Sequence, residues 1–169
     1  MTQNVQYVGS RLQETTLTEQ AWYITGFVDG EGCFSVSLNK RAKMKTGIEV
    51  RPSFSIGQNK RSLSVLKDIQ DYFGCGAIRF SKHDQTYKYE VRSVGDLRTK
   101  VLPHFKKYPL RTQKLDDYIT FAWICDQIAA LQHLNSVKLA AIITKAYAMN
   151  ESGKRKYTMN ELLQVIEAR

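Results

Sequence analysis

Nine residues, Ile24-Thr25-Gly26-Phe27-Val28-Asp29-Gly30-Glu31-Gly32, constrain this chain more than any others, because they break rules that an ordinary amphipathic helix obeys. Upstream, Thr16 and Glu19 have the capping-box spacing, and Leu17, Ala21, Ile24 and Val28 recur at helical intervals, so the pattern predicts a helix from about Thr18 to Asp29. Gly26 and Gly30 then share one face. Without side chains they let another backbone approach closely, at a cost of ~1 kcal/mol for each mid-helix glycine relative to alanine. That cost points to a packing partner. Asp29 and Glu31 are the second departure: they sit at the predicted C-terminal end, where the macrodipole is negative and Lys or Arg is the expected residue. Two carboxylates there call for a cation.

Downstream the hydrophobic period changes. Phe34, Val36 and Leu38 alternate with Cys33, Ser35, Ser37 and Asn39, a strand with one apolar and one polar face. Lys40, Arg41, Lys43, Lys45 and Gly47 form a basic turn, after which Ile48, Val50, Phe54 and Ile56 alternate with Glu49, Arg51, Ser53 and Ser55. Pro52 shares the apolar phase and predicts an edge or a bulge. Ser62 to Phe73 reads as a helix ended by Gly74-Cys75-Gly76. A second hairpin sets Ile78 and Phe80 against Arg79, Ser81 and His83, turns near Asp84-Gln85, and returns with Tyr87, Tyr89 and Val91 against Lys88, Glu90 and Arg92. Asp96 is expected to cap a short helix interrupted or kinked at Pro103. Helices follow over 115–134 and 137–149, and a last one opens at the Thr158/Glu161 capping box. The reading is α+β: an α-β-β-α-β-β-α core with extra C-terminal helices, one domain over 1–169, in which 1–15 is a weakly ordered lead-in, about 16–125 the core and 126–169 a helical extension.

Motif and element order together resemble the LAGLIDADG homing endonucleases. Ile24 to Gly32 aligns with that family's motif, Gly26 in the third position, Asp29 in the sixth, Glu31 in the eighth and Gly32 in the ninth. Thr25 and Gly30 are small-for-small departures, and Glu31 stands where many members have Asp. The resemblance implies a site-specific double-strand DNA endonuclease of the intron-encoded kind, hydrolysing phosphodiester bonds with Mg2+ or Mn2+, while Ca2+ supports binding without efficient cleavage. By the same match Glu31 is a metal ligand, with the Gly30 carbonyl facing the same ion. Gln58 takes the position of a water-organising polar residue, and Arg61, or Lys60 in a shifted register, that of a basic group. Lys114 takes the basic position before the later helix, with Arg111 as its competitor. A single motif copy implies a two-fold homodimer, with Thr25, Gly26, Asp29 and Gly30 at the interface and Asp29 in a local structural role at the helix end. The target is then a pseudo-palindrome of about twenty base pairs, from strands rising ~3.3 Å per residue against ~3.4 Å per base pair.

In such a saddle Ser35, Ser37, Asn39, Arg41, Glu49, Arg51, Ser53, Ser55, Arg79, Ser81, His83, Lys88 and Arg92 lie on the polar strand faces. Arg can take guanine bidentately, Asn adenine, Glu a cytosine amino group, and Ser either. Lys40, Lys43 and Lys45 read as phosphate contacts, which position without specifying. A formal net charge of +9 favours a polyanionic partner, without separating DNA from RNA or an acidic membrane. Two other readings stay open, a maturase-like RNA-binding splicing factor and a DNA-binding module without catalysis; retention of Glu31 disfavours the second. Three cysteines without metal-site spacing and three separated histidines argue against zinc and for a reducing intracellular compartment, organelle matrix or prokaryotic cytoplasm. No run approaches ~18 apolar residues, so no membrane association is expected.

Overall fold

The structure, a computed structural model, describes residues 3–82, 84–150 and 154–168 of the chain. Helix α1 (Gln3–Glu31) begins well before Thr18. A capping box acts only where the preceding chain leaves helical geometry, and the segment before Thr16 contains no proline, so the helix runs through Thr16 and Glu19. Ala21, Ile24 and Val28 are buried as their spacing predicts, whereas Leu17, placed with them by periodicity, is 57% exposed. Strand β1 (Gly32–Lys40) follows without a connecting residue. Only glycine fits at position 32, because a Cβ there would lie 2.5 Å from the Val28 side chain and 2.8 Å from its carbonyl.

β1 pairs antiparallel with β2 (Ile48–Asn59), and after a 3-10 turn and α2 (Leu63–Phe73) the hairpin of β3 (Ala77–Ser81) and β4 (Thr86–Val91) completes a sheet in the order β1-β2-β4-β3. Gly74 ends α2 in the left-handed region, at φ 58°. Pro52 lies in an interior strand and makes no bulge, since it pairs in register with Val36. β4 ends at Val91 opposite Phe54, so on that side β2 has no neighbour at Pro52 and the missing N–H costs no ladder bond.

One sheet face carries Phe34, Phe54, Ile56, Tyr89 and Val91 into the core, where Phe34 meets Phe54, Phe105 and Phe121 with ring centroids 5.2–5.4 Å apart. Each such ring contributes about 1.5–3 kcal/mol on burial. The helices supplying the other side are α1 and α2, with Ile24, Val28, Leu66, Ile69 and Phe73, then α4 (Leu102–Lys107) and α5 (Lys114–Ala129). α6 (Ser136–Tyr147) and α7 (Met159–Glu167) complete the core, while the short α3 (Val94–Asp96) buries no residue. Ser93, not Asp96, caps α3, accepting from the Asp96 N–H at 3.2 Å; Asp96 binds Lys100 at 3.1 Å instead. A π-helical turn, Leu97–Val101, precedes Pro103 and absorbs the hydrogen bond that proline cannot make. The helix predicted over 115–134 stops at Ala129, where Leu131 turns left-handed (φ 56°) and Asn135 caps α6. The Thr158/Glu161 box opens α7 as expected.

Candidate nucleic-acid interface and metal site

Strand alternation leaves the other sheet face polar. Along β1 it carries Cys33, Ser35, Ser37 and Asn39; along β2, Glu49, Arg51, Ser53 and Ser55; along β4, Lys88 and Glu90; along β3, Arg79 and Ser81. Lys40, Arg41, Lys43 and Lys45 are exposed at or beyond the β1 end, and Arg92 just past β4. His83 lies outside the described residues. Two of the expected base readers have little surface to offer: Ser53 is 8% and Ser55 5% exposed. Interior strands place them beneath longer neighbours, and the Ser53 hydroxyl donates to Glu90 at 2.9 Å while its carbonyl accepts from Ser35 at 3.3 Å. One oxygen of Glu49 is already engaged, accepting from Arg41 at 2.5 Å and from Arg51 at 3.0 Å. Glu90, not named among the readers, pairs with Lys88 at 3.3 Å and Arg92 at 2.9 Å. Burial alone would raise its carboxyl pKa, but the Ser53 hydroxyl and the two cations outweigh this and hold it below the ordinary value. Lys40 lies over the Tyr157 ring, 4.9 Å from its centroid.

The polar face leads to the end of α1. Glu31 is exposed there and has no hydrogen-bond or ion-pair partner among the described residues. β2 runs to Asn59, past its last β1 pairing of Ile56 with Gly32, so Gly57 and half-buried Gln58 continue beyond the start of β1 and lead into the exposed turn with Lys60 and Arg61. Gly57 pairs with Lys88. Lys114 opens α5, the positive end of a helix and a poor place for a cation, and its ammonium turns to the Gly32 carbonyl. Burial pushes the Cys33 thiol up, against the pull of Lys114 and Lys88. Arg111, its competitor, is exposed, and its backbone N–H donates to Asp29 at 2.9 Å.

Asp29 and Thr25, expected at an interface between chains, are engaged within their own. The Asp29 carboxylate accepts from the Thr112 hydroxyl at 2.6 Å and from the N–H groups of Arg111 and Thr112. Desolvation opposes its charge, but these bonds and Lys114 keep its pKa below the usual value. Thr25 is 4% exposed, and its hydroxyl donates to the Tyr108 carbonyl at 3.0 Å. The local role expected of Asp29 therefore has a concrete form: it pins the 109–113 loop to α1. Gly26 and Gly30 differ, being exposed, with nothing within 4 Å of an added Cβ. Trp22 (47% exposed) and Tyr23 (56%) flank them, and beside Gly26 lies a groove of about 290 Å³ lined by Trp22, Thr25, Asp29, Pro109 and Arg111. The apolar flank was not named from sequence; the aromatics three and four residues ahead of Gly26 were its only signal.

Residues 24–125 match the family model of the LAGLIDADG endonucleases. A protein of Podospora anserina described as an uncharacterised 50.9 kDa protein in ND4 intron 1 is 42% identical over 120 residues, 69% of this chain and 26% of its own. The chain spans about a quarter of the length of that protein and of two probable intron-encoded endonucleases of Neurospora crassa. An archaeal intron-encoded homing endonuclease solved in complex with DNA is similar at a TM-score of 0.82 and 29% identity, covering 89% of this chain and 96% of that one. I-SmaMI, solved bound to uncleaved DNA target in the presence of calcium ions, is similar at 0.78 and 32% identity, covering 87% of this chain and 48% of that one.

Proposed function

The chain belongs to the LAGLIDADG endonuclease family, and from that premise we propose that it is a divalent-metal-dependent, site-specific DNA endonuclease acting as a two-fold homodimer. One observation carries the reading: Glu31, a carboxylate unpaired among the described residues, stands at the foot of an open glycine face and next to the start of a four-stranded sheet with a basic polar face.

The donors suit a hard divalent cation, which takes carboxylate and carbonyl oxygens and fills its remaining positions with water and substrate phosphates. Glu31 would hold it, with the Gly30 carbonyl. Among the described residues no three His, Cys, Asp or Glu side chains converge on one point, so one chain offers part of a ligand set and a second copy, packed through Gly26 and Gly30, would supply the rest. When bound, the cation neutralises phosphate charge and lowers the pKa of a coordinated water. Lys114, held at the Gly32 carbonyl, offsets charge beside Glu31. Gln58 is available to orient solvent, and the saddle cations fix the duplex. The calcium present with I-SmaMI and the DNA in the archaeal complex support the same ligands here.

A plasmid library with randomised inserts, incubated with the protein and Mg2+, should yield cut sequences sharing one pseudo-palindrome. Glu31→Gln should bind those sequences and lose cleavage by orders of magnitude, and Ca2+ should support binding by the unmodified protein with little cutting. Near-normal cutting by Glu31→Gln would overturn the ligand assignment. Binding without any cutting by the unmodified protein would leave a DNA-binding module.

A further inference from the structure

We propose that Glu90, and Glu49 further along the same face, are specificity-determining positioning residues: anionic floor groups that hold the saddle's cations in reading geometry before DNA arrives. The proposal rests on the DNA-binding reading above and concerns how that surface discriminates.

The two carboxylates share a design. The Glu49 side chain is 16% exposed and Glu90 9%, whereas the cations they hold, Arg41, Arg51, Lys88 and Arg92, are about half exposed. The acid is the buried member and the cations are the exposed ones, and each guanidinium or ammonium has more N–H donors than the acid takes up. Ser53 adds a third contact to Glu90 from the neighbouring strand, which fixes the carboxylate itself. Stability does not account for this arrangement, because ion pairs with half-exposed partners contribute little. Against a polyanion each carboxylate also lowers affinity. What it supplies is order: long Lys and Arg side chains lose much rotamer freedom on docking, and a partner that restrains them beforehand removes part of that cost at the matching sequence only. It also supplies the repulsive element that discrimination needs, since a duplex that does not engage the cations still meets the acids. Ser53 and Glu49 are four residues apart on β2, a separation of about 13 Å or roughly four base pairs. The saddle therefore holds two such stations per subunit at a defined interval.

The test measures binding with Ca2+ present, across a panel of duplexes substituted at each position of the selected target and at several salt concentrations. Glu90→Gln keeps an acceptor for Ser53 and should bind unrelated duplex roughly tenfold more tightly, with a log–log salt slope steeper by about one per subunit, as freed cations take phosphates. Its discrimination should fall about tenfold at one or two adjacent base pairs of each half-site, the scale of one lost bidentate contact. Glu49→Gln should do the same about four base pairs away. Glu90→Asp, with the charge kept and the reach shortened, should lose discrimination without the change in salt slope. Equal loss on all sequences at unchanged salt slope, the mark of a merely structural role, would overturn the proposal, as would loss at the same base pairs for both Gln variants. If the unmodified protein discriminates and Glu90→Gln discriminates as well, the proposal alone falls; if the unmodified protein prefers no duplex, the DNA-binding reading falls and takes it along.

Discussion

His104 on α4 shows how a single residue is set by its partners. It is 6% exposed, with Nε2 3.0 Å from the Thr25 hydroxyl and Nδ1 2.9 Å from the Tyr72 hydroxyl. Thr25 donates its only proton to the Tyr108 carbonyl, so Nε2 must donate to Thr25 and Nδ1 accept from Tyr72. The ring is complete when neutral. A proton on Nδ1 would require the Tyr72 hydroxyl to turn and accept instead, and desolvation pushes the pKa down to about 4 from the ordinary 6.5. In an unfolded chain the histidine takes up that proton at higher pH, so the stability His104 contributes is full above about pH 6.5 and is lost as pH falls toward 4. Urea denaturation at pH 7 and pH 5 should differ by about 2 kcal/mol from this group, and His104→Gln should remove most of the difference. An equal pH dependence in the variant would show that other groups carry it. Thr25 also marks a limit of sequence reading: its place in the motif was legible, but its neighbours are 79 and 83 residues away, and periodicity names a face without naming what covers it.

Among the elements, α1 carries both the candidate ligand and the candidate interface, and its glycines separate the two demands. Since nothing lies within 4 Å of an added Cβ at Gly26, a side chain there meets no obstacle in its own chain. Gly26→Leu should therefore leave the monomer as stable or firmer by about 1 kcal/mol, the gain in helix propensity over glycine. Assembly should move the opposite way, because two backbones cannot approach across a leucine. Sedimentation at micromolar concentration should find the unmodified protein dimeric and Gly26→Leu monomeric, with cleavage lost alongside; a variant that stays dimeric would sink the shared-helix arrangement. The common face of Gly26 and Gly30 was legible because four-residue spacing on a helix fixes it, and its own chain leaves that face uncovered. The early start of α1 was not, because a capping-box spacing is the same string whether the chain before it is helical or not. Likewise Asp96 and Ser93 both suit a cap, and only the turn geometry selects Ser93.

At the scale of the molecule, the sheet's polar face was legible because a period of two fixes which side chains share a face, and the pairing of Cys33 to Asn39 with Glu49 to Ser55 keeps that alternation in register. Which polar residues remain available was not legible, since Ser53 and Ser55 are covered through cross-strand neighbours that sequence distance hides. The C-terminal extension likewise ties down the β1 edge through contacts no local pattern announces: Asn150 donates to the Phe34 carbonyl at 2.7 Å, and Arg155 reaches the Val36 carbonyl at 3.4 Å. That cover takes up the Phe34 and Val36 carbonyls at the β1 edge, where another strand could otherwise pair. β1 and β2 pair over Gly32–Lys40 and Ile48–Ile56, a span of about 30 Å or roughly nine base pairs. A dimer joined through α1 then needs about twenty base pairs to use both saddles. Duplexes trimmed symmetrically from a longer target should keep their affinity down to about that length and lose it steeply below. A duplex holding one half-site should engage one saddle, with a log–log salt slope about half that of the full target, because each subunit neutralises its own set of phosphates. A half-site bound as tightly as the full target, with the same slope, would mean that one subunit reads the sequence alone and that the symmetric saddle is not the recognition unit.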